Sequence, residues 1–215
     1  MEKEEIYTHI DHTLLKAVSS WDEIKEICDD AIKYNTASVC IPPSFITRVK
    51  KDYPTLNICT VIGFPLGYST LETKLYETKD AINKGANEID MVINLGDVKD
   101  GRFDLITYEI QTIKKACGRH VLKVIIETCY LTDIEKIKLC KCVTSANADY
   151  IKTSTGFGTS GAKIEDIELF KKYIGSNVKI KAAGGIKTKE DINNFLNAGA
   201  DRLGSSSAIK ILNED

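Results

Sequence analysis

Lys152 and Lys181 lie about one strand-and-helix unit apart, each inside a short apolar run, Tyr150 to Lys152 and Val178 to Ala182. If those runs are neighbouring parallel strands, both amines project into one cavity. Two ammonium groups roughly 4 Å apart at an effective dielectric near 20 repel by about 4 kcal/mol. That equals about three pKa units, enough to leave one amine neutral near pH 7 and able to form a Schiff base with a carbonyl. A carboxylate such as Asp90 or Glu127 nearby would push the other way. Alternation along a strand supplies more charges of the same kind, because residues two apart share a face. Glu88 and Asp90 oppose Ile89, Met91 and Ile93. Lys123 and Glu127 oppose Val124 and Ile126, Lys179 and Lys181 oppose Val178, Ile180 and Ala182, and His9, Asp11 and Thr13 form a polar set. An unpaired ion in an apolar interior costs several kcal/mol. Interior charges near C-terminal strand ends therefore point to an active site, with Asp90, Lys152 and Lys181 as its catalytic groups. Glu88 and Lys179, nearer the opposite rim, read as structural.

The elements that must position these residues alternate between short strand-type runs and helix-length periodic segments, the pattern of repeated βα units around a parallel sheet. Strands are predicted at Tyr7 to Thr13, Ser38 to Ile41, Ile58 to Gly63, Glu88 to Ile93, Val121 to Glu127, Tyr150 to Lys152, Val178 to Ala182 and Arg202 to Gly204. Helices are predicted at Trp21 to Tyr34, Leu71 to Lys84, Phe103 to Ala116, Asp133 to Val143, Ile164 to Tyr173 and Lys189 to Leu196, with a shorter one from Ser44 to Lys51. Four helix-to-strand joints look alike, from Asn35, Gly85, Ala146 and Gly199 onward, where small residues let a helix end close against the sheet. No linker or low-complexity segment interrupts the series. The reading is an α/β protein, one (β/α)8 TIM-barrel domain over residues 1–215.

Ala183-Gly184-Gly185-Ile186 follows the seventh strand and Gly204-Ser205-Ser206-Ser207-Ala208 the eighth. Loops at those positions are the usual phosphate site on such a barrel. No dinucleotide or Walker-type glycine motif appears, and His9, His12 and His120 are scattered, so neither a cofactor nor a metal is expected. With 29 Lys plus Arg against 31 Asp plus Glu, the charge balance gives no reason to expect a nucleic-acid partner or a membrane surface. The polar start and the lack of a long apolar run predict a cytoplasmic chain, and seven cysteines without metal-type spacing read as reduced thiols. The sequence is silent on oligomeric state and is compatible with a homodimer or a homotetramer.

From about Ile10 to Ile211 the chain resembles the deoxyribose-phosphate aldolases. The likeness is carried by Ile10-Asp11-His12-Thr13-Leu14-Leu15, Glu88-Ile89-Asp90-Met91-Val92, Lys123-Val124-Ile125-Ile126-Glu127-Thr128, Ile151-Lys152-Thr153-Ser154-Thr155-Gly156-Phe157 and Lys181-Ala182-Ala183-Gly184-Gly185-Ile186. The resemblance implies reversible cleavage of 2-deoxy-D-ribose 5-phosphate to D-glyceraldehyde 3-phosphate and acetaldehyde, without metal or cofactor. It implies Lys152 as the Schiff-base lysine, Lys181 as its pKa-lowering and proton-transferring neighbour, and Asp90 as an acid/base group working through a bound water. It implies Gly184, Gly185, Gly204, Ser206 and Ser207 as the phosphate loop, and Asp11, Thr13, Cys40, Lys123 and Thr155 complete the expected substrate-binding set. Some family members end in a tail with a terminal tyrosine that aids proton transfer, whereas this sequence ends Asn213-Glu214-Asp215. Rival readings are another Schiff-base phosphosugar barrel enzyme, transaldolase-like or thiazole-synthase-like, and a non-catalytic phosphosugar-binding barrel. The intact pair of lysines with Asp90 argues against the last.

Overall fold

In the computed structural model, which describes residues 1–214, eight parallel strands close into a barrel in sequence order. They are β1 (Ile10–Thr13), β2 (Ser38–Ile41), β3 (Ile58–Ile62), β4 (Glu88–Val92), β5 (Val121–Ile125), β6 (Tyr150–Lys152), β7 (Lys179–Ala183) and β8 (Arg202–Ser205). The helices are α1 (Lys3–Tyr7), α2 (Trp21–Tyr34), α3 (Ile46–Asp52), α4 (Leu71–Lys84), α5 (Leu95–Lys99), α6 (Phe103–Cys117), α7 (Asp133–Ser145), α8 (Ile164–Tyr173), α9 (Lys189–Ala198) and α10 (Ala208–Asn213). The closed (β/α)8 architecture expected from the sequence is the one observed. Outward-facing Ile89, Met91, Val124, Ile151 and Ile180 pack with helix residues such as Ile110, Leu139 and Phe170 into one apolar layer between sheet and helices.

Local chemistry fixes where helices begin and end. Ser20, Thr132 and Thr188 cap α2, α7 and α9, each in a reciprocal box with an acid three residues on, Glu23, Glu135 and Asp191. At the four joints singled out in the sequence, Asn35, Gly85, Asn147 and Gly199 take left-handed backbone, which turns each helix end back toward its next strand.

Two short helices escaped the periodic pattern. The first predicted strand began at Tyr7, but Lys3–Tyr7 is helical and β1 starts at Ile10. Ile6 and Tyr7 are buried there, with the Tyr7 ring 5.0 Å from that of Tyr34. A five-residue helix carries too few turns for a period to show. The same holds for α5, Leu95–Lys99, capped by Asn94.

Register decides which inward side chains meet. Asp90 is level with Lys123, Lys152 with Lys181, and Asp11 with both Ser38 and Gly204. All seven cysteines are free thiols. No helix among the described residues is long and apolar enough to cross a membrane.

Candidate active site

Inward-facing residues of β1, β4, β5, β6, β7 and β8 form one cluster of charges. Asp90 is its hub and is fully buried. Its Oδ2 accepts from Lys152 Nζ at 2.7 Å and from Lys181 Nζ at 2.8 Å, while its Oδ1 accepts from Lys123 Nζ at 2.8 Å and Cys59 Sγ at 3.1 Å. Lys181 also donates to Asp11 Oδ2. Asp11 Oδ1 takes Arg202 Nη1 at 2.6 Å and the Ser38 hydroxyl at 2.7 Å. Lys123 reaches Glu88 Oε2 at 2.5 Å, and Arg202 lies 3.4 Å from the same oxygen.

The cluster holds four cationic side chains, Lys123, Lys152, Lys181 and Arg202, against three carboxylates, Asp11, Glu88 and Asp90. A neutral amine at one lysine balances it. Lys123, Lys181 and Arg202 are each held by at least two carboxylates, whereas Lys152 has only Asp90 Oδ2, which it shares with Lys181. Burial opposes the charge on Lys181, yet Asp11 and Asp90 outweigh it and hold the ammonium above the ordinary lysine range. Burial likewise opposes charge on Lys123, and Asp90, Cys59, Asp11 and Glu88 raise it regardless. Burial pushes Asp90 and Asp11 up, but the surrounding lysines, with Arg202 at Asp11, hold both carboxyls below their usual range.

Above the cluster opens a cavity of about 300 Å³ at the C-terminal mouth of the barrel. Thr13 to Lys16 wall it after β1, Lys152 and Thr155 to Phe157 after β6, Ala183 to Gly185 after β7, and Gly204 to Ser206 after β8. Lys152 is the one member of the charge cluster on this wall. At Gly204 the chain passes close to β7, since a Cβ there would press on Ala183 Cβ at 3.1 Å and Lys181 Cε at 3.2 Å.

The structure thus brings Lys152, Lys181 and Asp90 together as the sequence suggests, and Thr13, Thr155, Gly184, Gly185, Gly204 and Ser206 reach the cavity. Asp11, Cys40 and Lys123 do not. They are fully buried one layer below, where Asp11 and Lys123 serve the ion network and Cys40 sits with Cys59 and Val61. Ser207 also stays off the wall; its N–H donates to Ser205 Oγ at 3.2 Å. Glu88 pairs inside the network, whereas Lys179, read as facing the interior, is exposed at the N-terminal rim.

Sequence reasoning missed Leu15, Lys16, Gly156 and Phe157 on the cavity wall. The rule applied after β7 and β8, that C-terminal loops build the site, would have found Lys16 directly after β1. Two groups of potential metal ligands lie in the barrel, Cys40 with Cys59 and Asp90, and Asp11 with Cys59 and Glu88. The Lys123 ammonium already bonds into both, at 3.2 Å from Cys59 Sγ and 2.5 to 3.5 Å from the three carboxylates.

Glu127, just past β5, has φ 51° and ψ 68°, a left-handed backbone that costs a residue with a side chain roughly 1–2 kcal/mol. Its carboxylate accepts from Thr155 N at 3.1 and 3.3 Å and from the Thr155 hydroxyl.

An inward lysine pair around a carboxylate, opening at the C-terminal mouth of a (β/α)8 barrel, defines a lyase of the aldolase type, and comparison with known proteins agrees. Residues 6–208 match the model of the DeoC/LacD family aldolases, and the chain belongs to that family. It is 62% identical over 213 residues to the deoxyribose-phosphate aldolase of Clostridium botulinum (strain Alaska E43 / Type E3), covering 99% of this chain and 96% of that one. It is 57% identical over 208 residues to that of Clostridioides difficile (strain 630), covering 96% and 95%. Among solved structures, the tetrameric deoxyribose phosphate aldolase from Aeropyrum pernix superposes with a TM-score of 0.92 at 30% identity, over 98% of this chain and 91% of that one.

Proposed function

We propose that the chain is a class I aldolase that reversibly cleaves 2-deoxy-D-ribose 5-phosphate to D-glyceraldehyde 3-phosphate and acetaldehyde, with Lys152 as the Schiff-base amine. The observation that carries the assignment is that Lys152 alone in the buried ion cluster opens on the cavity.

The free amine of Lys152 adds to C1 of the open-chain sugar, and the carbinolamine loses water to give an iminium. Lys181, held as an ammonium by Asp11 and Asp90, supplies the proton that carries that water away. The product acetaldehyde has two carbons, so the bond that breaks is C2–C3. Its electrons flow to the iminium nitrogen and leave a two-carbon enamine on Lys152. The C3 hydroxyl gives up its proton, and C3 becomes the aldehyde of glyceraldehyde 3-phosphate. Protonation at C2 and hydrolysis then release acetaldehyde and restore the amine.

Both oxygens of Asp90 are occupied by protein donors. A water relay between C3 and Asp90 therefore forms when Lys152 bonds to substrate and loosens its hold on Oδ2. The charge of the iminium stays beside Asp90, so the same carboxylate serves the amine before and after the bond forms. Backbone N–H groups of the turns at Gly184, Gly185 and Gly204 to Ser206, with the Lys16 ammonium on the adjoining loop after β1, take the phosphate. Binding this remote group orients the chain at Lys152.

Borohydride with acetaldehyde tests the assignment: a reduced two-carbon adduct is expected on the peptide carrying Lys152, together with glyceraldehyde 3-phosphate release in a coupled assay. An adduct on Lys181 instead, or activity that survives Lys152→Met, would overturn it. We place the enzyme in the cytoplasm, a reading supported by its seven free thiols. A homo-oligomer, dimer or tetramer, is proposed by analogy with the tetrameric Aeropyrum pernix protein, and sedimentation of the purified chain measures it.

A further inference from the structure

Lys152 and the loop that follows it are tied to three successive residues just past β5, Ile126 to Thr128. Ile126 N–H donates to Lys152 O at 3.0 Å, and Thr128 N–H donates to Thr153 O at 2.9 Å. Between them Glu127 adopts its left-handed backbone and sends its carboxylate across to Thr155, whose N–H and hydroxyl it accepts. The Glu127 side chain is almost wholly buried. The loop lies directly on it, since a Cβ at Gly158 would meet Glu127 Cδ at 3.1 Å and Cys129 Sγ at 2.7 Å. A side-chain-bearing residue holds such a backbone only where its surroundings over-determine it, and such sites gather where geometry matters to function.

The consequence lies in the polarity of Thr155. A hydroxyl has one proton to donate and two lone pairs. The proton is committed to Glu127, and one lone pair accepts Phe157 N–H at 3.0 Å. Thr155 lines the cavity beside Lys152, so what it offers a ligand is a single acceptor. We infer that Glu127 is a positioning residue that holds the loop after Lys152 and restricts Thr155 to accepting a hydrogen bond, so that the site selects a substrate carrying a hydroxyl donor beside its reacting carbons. The inference rests on the reading that the substrate carbonyl bonds to Lys152.

Two substitutions separate the parts of the claim. In Glu127→Gln the amide still reaches Thr155, but its NH2 now donates to the hydroxyl oxygen and frees the Thr155 proton to point at the ligand. This variant should lower kcat/KM for the deoxysugar phosphate roughly ten-fold or more beyond any loss in the rate of borohydride-trapped imine formation with acetaldehyde, which has no hydroxyl. Equal losses in both assays, or an unaltered kcat/KM, would refute the polarity argument. Glu127→Ala removes the tie altogether. The amides of Thr155 and Phe157 should then exchange hydrogen at least about ten-fold faster while those of β5 and β6 keep their protection; unchanged exchange at both would overturn the latch. In a Thr155→Val background, Glu127→Ala should add no further loss in kcat/KM, and additive losses would show that Glu127 does not act through Thr155. Should the wild-type chain give no acetaldehyde adduct at Lys152, the aldolase reading fails on its own, and the exchange measurement still decides whether Glu127 holds the loop.

Discussion

Replacing Lys181 by leucine tests how the cluster prepares Lys152. Both nitrogens bond the same Asp90 oxygen, at 2.7 and 2.8 Å, so they lie no more than 2.7 + 2.8 = 5.5 Å apart. At an effective dielectric near 20, a unit charge at that distance contributes about 3 to 4 kcal/mol. Lys181 keeps that charge across the neutral range, because Asp11 and Asp90 hold its ammonium above the ordinary lysine value. Without it the cluster holds three cations against three carboxylates, and Asp90 Oδ2 is left to Lys152 alone. The expected result is a fall of about two to three decades in imine formation at pH 7. The loss should shrink roughly ten-fold for each unit of rising pH, so the optimum moves upward. The assay is the rate of acetaldehyde trapping on Lys152 by borohydride between pH 6 and 10, with near-ultraviolet circular dichroism as the check on folding. Lys181→Arg keeps the charge but cannot give up a proton, so it should keep the pH of the optimum while lowering the rate at every pH. In the leucine variant, a loss that is the same at every pH would mean that Lys181 acts by contact and not by charge, and an unaltered rate would remove it from the chemistry.

The mouth of the cavity and the acid limb of stability give two further tests. Ser206→Glu places a negative charge on the wall where the phosphate is read, and Lys16→Gln removes a positive one. Each should raise KM at least about ten-fold for 2-deoxyribose 5-phosphate and leave the unphosphorylated sugar much less affected, and equal effects on both sugars would disprove the phosphate site. Asp11 is held below its ordinary value near 3.8, so its stabilisation is complete above that value and is lost as pH falls through the depressed one. Asp11→Asn should therefore lower Tm at neutral pH, by roughly 3–5 kcal/mol of stability, and show a shallower further decline from pH 5 to pH 2 than the wild type; parallel melting curves would contradict that.

Much of this site was legible because alternation in a strand assigns each side chain to a face. The run from Glu88 to Met91 could bury Ile89 and Met91 against helices only by turning Glu88 and Asp90 into the barrel. The same logic placed Lys123, Lys152 and Lys181 inside. Depth along the barrel axis was not legible, because it depends on the stagger between strands. Asp11 is level with Gly204, while Lys181 is level with Arg202, two residues earlier on β8. The Lys181 side chain must therefore reach toward the mouth to meet Asp11, and nothing within either strand records that offset. For the same reason Asp11, Cys40 and Lys123, expected among the substrate-binding residues, lie beneath the cavity wall. Glu127 was recognised as inward-facing, but its role follows from a backbone conformation beyond the end of β5 that no side-chain pattern encodes.

An ion cluster this deeply buried is hard to explain as a device for stability. Each ion loses several kcal/mol of hydration on burial, and well-packed apolar side chains of similar volume often do as well or better. What an apolar barrel centre cannot supply is an odd count of charges. Within the network around Asp90, four cations face three carboxylates, so the loss of one proton balances it. Geometry then selects where, because Lys123, Lys181 and Arg202 are each held by at least two carboxylates, whereas Lys152 shares one oxygen and alone meets the cavity. The ammonium of Lys123 has its own part in this. By occupying the space between Glu88, Asp90 and Cys59, it fixes the Asp90 carboxylate so that Oδ2 faces both Lys152 and Lys181. The reactive amine is thus selected by the arrangement of its neighbours, several of which never touch the substrate.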